Sequence, residues 1–571
     1  MILHSAAYKI ISENDYTKYK LAKGAFLQRI SSRIRTGKMG KKIITVSIIG
    51  VGLSGGESYG RYLYRSKDKY KITDLCDLDV AKLEKYGEAF EVDSSHRFST
   101  EESFFREKRS DLLVVATMEK THIRIARKAL SLGYDIMLEQ PVSDEPDELR
   151  ALVTEARRSG RKIMVCHVLR YSSMVRKLKE ILAKGEIGRI ISMDATENVV
   201  FWHDAHGFVR GNWRKSELTT SMVVTKCCHD LDLLQYFAGS KCMSVSSMGS
   251  LSFFKKENAP AEATQRCLDC PLVETCTYSA KTIYVNFWKQ WGKPENVMPM
   301  NALTDTVPLT EEALMKAVQE GPYGRCVFYC DNDVVDNQKI IMQFENGITA
   351  TLKMEAFVKY GGRELRFFGS QGYLELNETR DLITLHRYLG NDESWPISSI
   401  EGKDDHSSRV ARMIDTFYDV LIGECEEIET SLDGAVESHY MAIAAEESRL
   451  SGGKLIEIEK YRNGKAVVKD MLNYVQTHYL EDVTLSKVAQ AVGYSPDHCS
   501  KILRMATGLS FRDYVNLLRL KKAEEMFADK SLKMTTLEIL YRCGFNNSAT
   551  YYRAKKKLEE DGRIALKTGK Q

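Results

Sequence analysis

At 571 residues, 43% apolar and 28% charged, the chain is too long for one hydrophobic core and too apolar for disorder, so two or three folded domains are expected. No apolar run reaches the roughly 18–20 residues of a membrane helix and the first residues lack the apolar centre of a secretory signal, so a membrane partner is not expected and the cytoplasm is the expected compartment. The net charge of +4 is unevenly spread: residues 1–41 and 465–571 each carry +7, leaving −10 between them, which points at least one end toward a polyanion.

Residues 1–41 read as a basic N-terminal extension. KIITVSIIGVGLSGGESYGRYLY (42–64) then begins as a β-branched strand, turns on glycines and continues as a helix. Gly50, Gly52 and Gly55 fit G-x-G-x-x-G, in which absent side chains let the backbone approach a pyrophosphate at a helix N-terminus. The next strand, YKITDLCDLD (70–79), ends in Asp77, 22 residues after Gly55. An acid at that spacing accepts ribose hydroxyls and repels a 2′-phosphate, so NAD is expected over NADP. DLLVVAT (111–117), the helix THIRIARKALSLG and the strand YDIMLEQP (134–141) continue the alternation of a parallel doubly wound sheet over 42–165.

These residues resemble the Gfo/Idh/MocA sugar and inositol oxidoreductases. The likeness rests on the glycine turn, on Ala116-Thr117 with His122 beyond, on Leu138-Glu139-Gln140-Pro141, and on SRLSGGKLIEI (448–458) as the last helix and strand. It implies an α/β Rossmann domain followed, over 166–460, by an α/β open-sheet domain for substrate and oligomerisation. It also implies a homo-oligomer, and Thr117, His122, Glu139 and Gln140 at the cofactor. Where the family has Glu-Lys-Pro this chain has Glu-Gln-Pro, and Gln140 cannot carry a proton near neutral pH.

MVVTKCCHDLDLLQYFAGS (222–240) has the spacing of one helix closed by Gly239. Adjacent Cys227, Cys228 and His229 diverge on a helix and cannot share a metal, whereas Lys226 with His229, Lys226 with Asp230 and His229 with Asp232 share a face, so a plain Lys226–Asp230 pair on an exposed helix face is the alternative to a catalytic lysine. The resemblance implies a proton-accepting histidine here, matched by His229, with its usual preceding aspartate replaced by Thr225. Lys226 is therefore expected to supply the ammonium that Gln140 lacks, with His229 relaying the proton and Asp232 fixing its tautomer. Arg170, Trp202, His203, Arg210 and Trp213, in HVLRYSS (167–173) and WHDAHGFVRGNWRKS (202–216), are the expected lining of a sugar or polyol pocket.

The thirteen cysteines are expected as thiols or metal ligands rather than disulfides. Cys267, Cys270 and Cys276, with Cys326 or Cys330 as a fourth, form the inventory of a structural zinc site. An iron–sulfur cluster and unliganded thiols are the alternatives.

Beyond 460 the strand signals stop. VTLSKVAQAVGYSPDHCSKILRMATG (483–508) reads as helix, glycine turn and second helix, and TTLEILYRCGFNNSATYYRAKKK (535–557) repeats it. Leu485, Ala489, Gly493, Ser495, Thr507-Gly508, Tyr514, Arg519, Ala523, Ile539 and Gly544-Phe545 carry a resemblance to the AraC/XylS DNA-binding domain. An all-α double helix-turn-helix domain over 466–560, followed by a 561–571 tail, is thus implied. Asp497, His498, Lys501 and Arg504 are its candidate DNA contacts in the first unit, and Asn546, Asn547, Ser548, Thr550 and Arg553 in the second. Leu540 in place of a small alanine and Lys555 in place of an aromatic predict looser packing of the second unit. Together these readings give two functions: a regulator whose body senses a sugar or the NAD state, or a working dehydrogenase that also binds DNA.

Overall fold

The computed structural model describes residues 42–561 apart from 296, 305, 401–404, 493–495 and 530. The basic extension, the residues of the tail beyond 561, and Gly493 and Ser495 of the first turn lie outside the described residues.

Short apolar runs build the first sheet: β1 (Ile44–Ile49), β2 (Tyr70–Cys76), β3 (Arg97–Phe98), β4 (Leu112–Val115), β5 (Asp135–Leu138) and β6 (Ile163–Val165). All pair in parallel in the order β3-β2-β1-β4-β5-β6. Helices cover both faces, which is why β4 is buried at every position rather than at alternate ones. Strand order reverses between β1 and β4, and the crevice at their C-terminal ends is where such sheets hold ligands. Gly50, Ala116 and Glu139 all stand at that edge.

The second sheet has nine strands: β7 (Ile190–Val200), β8 (Cys242–Ser250), β9 (Asn337–Phe344), β10 (Thr349–Val358), β11 (Gly362–Gly369), β12 (Gly372–Asn377), β13 (Leu382–Arg387), β14 (Glu393–Pro396) and β15 (Ile456–Glu457), in the order β14-β13-β12-β11-β7-β10-β9-β8-β15. β10 pairs parallel with β7 and antiparallel with β9. Its burial alternates, with Ala350, Leu352 and Met354 inward and Thr349 and Thr351 outward, the pattern of a sheet with one covered face. Helices Cys228–Ala238 and Leu432–Leu450 lie on that face.

Between β8 and β9 an insertion of turns and short helices packs around its own apolar cluster of Phe254, Ile283, Tyr284 and Phe328. Helix Glu459–His478 then leads from β15 into the C-terminal module of helices Leu485–Val492, Pro496–Thr507, Phe511–Ala528, Thr536–Arg542 and Ser548–Glu560. The module has a separate core that includes Val475, Val488, Leu503, Leu520 and Phe545.

Looser packing of the second unit is not what the structure has. Leu540, Tyr551, Ala554 and Leu558 are buried, and Lys555, 3.8 Å from Glu524, keeps its charge at the margin of that core. Thr535 and Glu538 close a capping box that begins the unit. Among the described residues no helix is long and apolar enough to cross a membrane.

Candidate functional site

The glycine turn has three different steric reasons for its glycines. Gly50 has φ +86°, and a Cβ there would stand 2.4 Å from the Ala116 carbonyl oxygen, so β1 and β4 meet only over a bare backbone. A Cβ on Gly55 would lie 1.9 Å from the Gly50 oxygen. Gly52 is different: a Cβ built on it meets nothing within 4 Å, so the chain leaves open space at this residue, just before the helix that starts at Leu53. Asp77 accepts from Val51 N at 2.8 Å and Asp79 N at 2.9 Å. It thereby fixes the turn, and its carboxylate lone pairs still leave room for hydroxyls.

Two of the other expected cofactor residues serve the scaffold. His122 is buried with Nδ1 2.8 Å from the Pro141 oxygen and Nε2 2.9 Å from the Thr117 oxygen. It ties the ends of β4 and β5 together and has no nitrogen left for a ligand, which corrects its assignment. Glu139 accepts from Tyr59 Oη at 2.8 Å and from Gln140 N at 2.9 Å, and so props the strand end. Thr117 takes a 2.7 Å hydrogen bond from Thr121 Oγ1.

Residues 222–240 do not form one helix. The β-branched run Val223-Val224-Thr225 weakens the first turns, and the chain breaks into Met222–Thr225 and Cys228–Ala238, with Lys226 and Cys227 between; Gly239 caps the second at φ 60°. His229 Nε2 lies 3.0 Å from Gln140 Nε2, and the Cys228 thiol donates to Gln140 Oε1. The amide therefore donates to Nε2, and His229 carries its hydrogen on Nδ1, which is buried without a partner. Burial, then His167, Arg363 and Lys226, hold His229 well below the ordinary histidine range, so the ring is neutral.

The break also redirects Lys226. Its Nζ lies 3.3 Å from Glu197 Oε1 on β7. Arg363, from β11, reaches Glu197 at 2.9 Å and Asp230 at 2.7 Å. Burial alone would raise Glu197, but Arg363 and Lys226 outweigh it and hold Glu197 low; burial pushes Asp230 up despite Arg363. Lys226, half-buried, thus belongs to a quartet of two cations and the two buried acids Glu197 and Asp230 rather than to a helical pair with His229. His203 lies within reach of that charge: burial first, then Lys226 and His206, lower it to about 3. Its ring stacks on Trp202 at 5.8 Å.

Asp232 does not orient His229. Arg170 grips it with hydrogen bonds of 2.7 and 2.6 Å and also donates to the Glu429 oxygen at 2.9 Å. Both side chains are buried, so Arg170 is a structural strut beneath the site and not a pocket residue. His167, 3.9 Å from Asp232, is buried with neither ring nitrogen hydrogen-bonded. Trp213 is also a tie: Nε1 donates to Glu119 Oε1 at 2.8 Å, joining the second domain to the loop after β4.

Arg210 leaves the site altogether. It points into the insertion and donates to the oxygens of Arg325 and Tyr278 at 2.7 and 2.6 Å. Cys267, Cys270, Cys276 and Cys326 line one cavity there, while Cys330 donates to the Cys326 oxygen at 3.3 Å. All the cysteines are free thiols. Among the described residues, no three Cys, His, Asp or Glu side chains stand where one ion would reach them all, so the zinc geometry expected of these thiols is not found.

In the C-terminal module Asn547 is the N-cap of Ser548–Glu560, accepting from Thr550 N at 2.8 Å and Thr550 Oγ1 at 3.0 Å. Both residues spend polar groups on the cap, leaving Asn546, Ser548 and Arg553 as exposed groups at that end. Arg504 is exposed in the first unit; the side chains of Asp497, His498 and Lys501 lie outside the described residues.

Arg363, Glu197 and His439 carry no signal in the sequence, because they come from three elements far from residues 222–240; Asp230 is visible there as the residue four positions after Lys226. His439 accepts from Val142 N at 2.8 Å. Cys228 was detectable, since it directly precedes His229.

Residues 44–167 match an oxidoreductase family described by its NAD-binding Rossmann fold, residues 179–449 match that family's C-terminal alpha/beta domain, and residues 488–561 match a helix-turn-helix domain. YteT of Bacillus subtilis, named as an oxidoreductase, is 25% identical over 327 residues, 55% of this chain and 72% of that protein. An inositol 2-dehydrogenase of Rubrobacter xylanophilus is 23% identical over 34% of this chain and about half, 52%, of its own length. An HTH-type transcriptional regulator of Pseudoalteromonas carrageenovora is 27% identical over 18% of this chain and 60% of its own. Among solved structures, an oxidoreductase from Agrobacterium radiobacter in complex with NAD+, L-tartaric acid and magnesium superposes with TM-score 0.52 at 15% identity, covering 73% of this chain and 98% of that one. That likeness is one of fold.

Proposed function

Because the chain belongs to the Gfo/Idh/MocA oxidoreductase family and ends in a helix-turn-helix domain, we propose that it is a transcription regulator whose body binds NAD and a sugar or polyol and conveys their presence to DNA. The observation that carries this reading is the pair Gln140 and His229, 3.0 Å apart. An amide binds and orients a hydroxyl but takes up no proton, and His229 has no carboxylate behind its Nδ1. Such a site recognises an alcohol better than it turns one over.

The backbone at Gly52 and the Asp77 carboxylate would hold the dinucleotide, with the acid favouring NAD over NADP. Bound NAD would supply the hydride acceptor. The Gln140 amide, whose oxygen accepts from the Cys228 thiol and whose nitrogen donates to His229 Nε2, would turn its N–H to a substrate hydroxyl on binding, freeing His229 Nε2 to accept that hydroxyl's proton. Lys226, Trp202 and His203 would form the outer wall, an ammonium and a stacked aromatic pair for polyol oxygens and faces. In the DNA module, Asn546, Ser548, Arg553 and Arg504 would meet bases and phosphates.

The neutral His229, whose Nε2 is an acceptor, favours the second reading, an active sugar or polyol dehydrogenase with an accessory DNA-binding domain. One set of assays separates the two: retardation of DNA upstream of the chain's own gene neighbourhood with and without NAD and polyols, and NADH formation with the same polyols. Ligand-dependent retardation with slow turnover supports the regulator; steady turnover with no retardation refutes it.

A further inference from the structure

The insertion between β8 and β9 holds a site of its own. Four free thiols, Cys267, Cys270, Cys276 and Cys326, line one cavity of about 20 Å³. The rest of its wall is almost wholly apolar, with Leu272, Val273 and Phe328 prominent. A hole of this kind gives water few partners, yet packing has not closed it.

Two buried polar groups beside the thiols lack partners. Ser279, which lines the cavity, is 1% exposed and its Oγ has no hydrogen-bond partner. Arg210, also 1% exposed, places Nη2 3.5 Å from Cys267 Sγ, and its Nη1 is unpartnered. Its other acceptors are backbone carbonyls, so a full positive charge stands buried with only carbonyls and one sulfur to receive it, an arrangement that costs several kcal/mol unless an anion completes it. Four thiolates around a metal group would be that anion, and the Ser279 hydroxyl would have an acceptor.

The spread of the thiols selects the group. A single zinc needs four sulfurs about 2.3 Å from one point, and no three of these thiols converge on a point. An iron–sulfur cluster distributes its cysteines over several irons, so its ligands ring a volume instead of meeting at its centre. We propose that Cys267, Cys270, Cys276 and Cys326 bind one iron–sulfur cluster, with Arg210 balancing its charge and Ser279 bonding to it. The cluster staples the Cys267–Cys276 turns to the strand-like segment at Arg325, which already bridges to Arg266. Its position matters for the cleft, because Arg210 ends the segment that begins at Trp202 and His203.

The test is metal analysis of the full-length chain purified without oxygen from iron-replete cells: iron, acid-labile sulfide and zinc per chain, and the visible charge-transfer absorption. Iron and sulfide in equal amounts, about two or about four of each per chain, with visible absorption that Cys270→Ser abolishes and Cys330→Ser leaves intact, are the expected result. One zinc per chain without sulfide, or no bound metal, overturns the proposal, and the wild-type measurement alone decides this even where a cysteine variant fails to fold.

Discussion

Replacing Arg170 by methionine removes the guanidinium that holds Asp232 through two short hydrogen bonds and leaves a carboxylate that is 1% exposed. Removing one partner of a buried ion pair costs about 3–5 kcal/mol. At roughly 2 °C per kcal/mol for a body of this size, the melting temperature falls by about 6–10 °C. The loss depends on pH with a definite sign. In the wild type burial would raise Asp232, but His167 and Arg170 reverse that and hold it below the ordinary carboxylate range. Its contribution is therefore fully present above the unfolded value of about 3.9 and fades as pH falls through the lower folded value. In Arg170→Met burial acts with His167 and His439 but no guanidinium against it, the folded value rises, and the destabilisation is largest near pH 8 and shrinks toward about pH 5. Thermal unfolding followed by circular dichroism at both pH values reads this directly. Unchanged melting, together with a raised KM for a polyol, would show that Arg170 lines the pocket and would refute the structural role.

Gly52→Ala is expected to leave thermal stability within about 0.5 kcal/mol of wild type while weakening NAD binding at least tenfold by calorimetry, because its Cβ meets no protein atom. Gly55→Ala is expected to destabilise the fold itself, since its Cβ would lie 1.9 Å from the Gly50 oxygen. Gln140→Lys places an ammonium beside His229, and NADH formation with the best polyol rises by about 10²-fold or more; no increase would mean that the amide is not what limits turnover. Arg553→Ala, at an exposed position, weakens DNA binding by about 1–3 kcal/mol without changing the melting temperature, whereas Asn547→Ala also costs about 1 kcal/mol of stability through the lost N-cap.

Local rules made much of the fold legible. The glycine turn, the alternation through Leu138 and the Gly239 cap depend on residues near one another in sequence, and each stands where its spacing put it. The double helix-turn-helix module was legible for the same reason. What was not legible depends on distant pairings. Arg170 and Asp232 are 62 residues apart, and Arg363 meets Asp230 across 133, so a basic residue near the pocket sequence could not be told from a strut beneath it. The break at Lys226-Cys227 came from a β-branched run that helical spacing hid, and it moved Lys226 from His229 to Glu197. Arg210 sits only eight residues beyond Trp202 but turns into the insertion's core, where Tyr278 and Arg325 receive it.

In the regulator proposed above, the oxidoreductase body and the DNA-binding module act as one unit, so ligands in the body change the affinity for DNA. The most direct measurement is the affinity of the full-length chain for DNA upstream of its own gene neighbourhood, by fluorescence anisotropy at fixed salt, titrated with NAD and a panel of polyols. Sequence-selective binding whose affinity shifts at least fivefold, or about 1 kcal/mol, when NAD and one polyol are present together is the predicted result. Binding to no tested DNA, or binding that is the same with and without both ligands, contradicts the account.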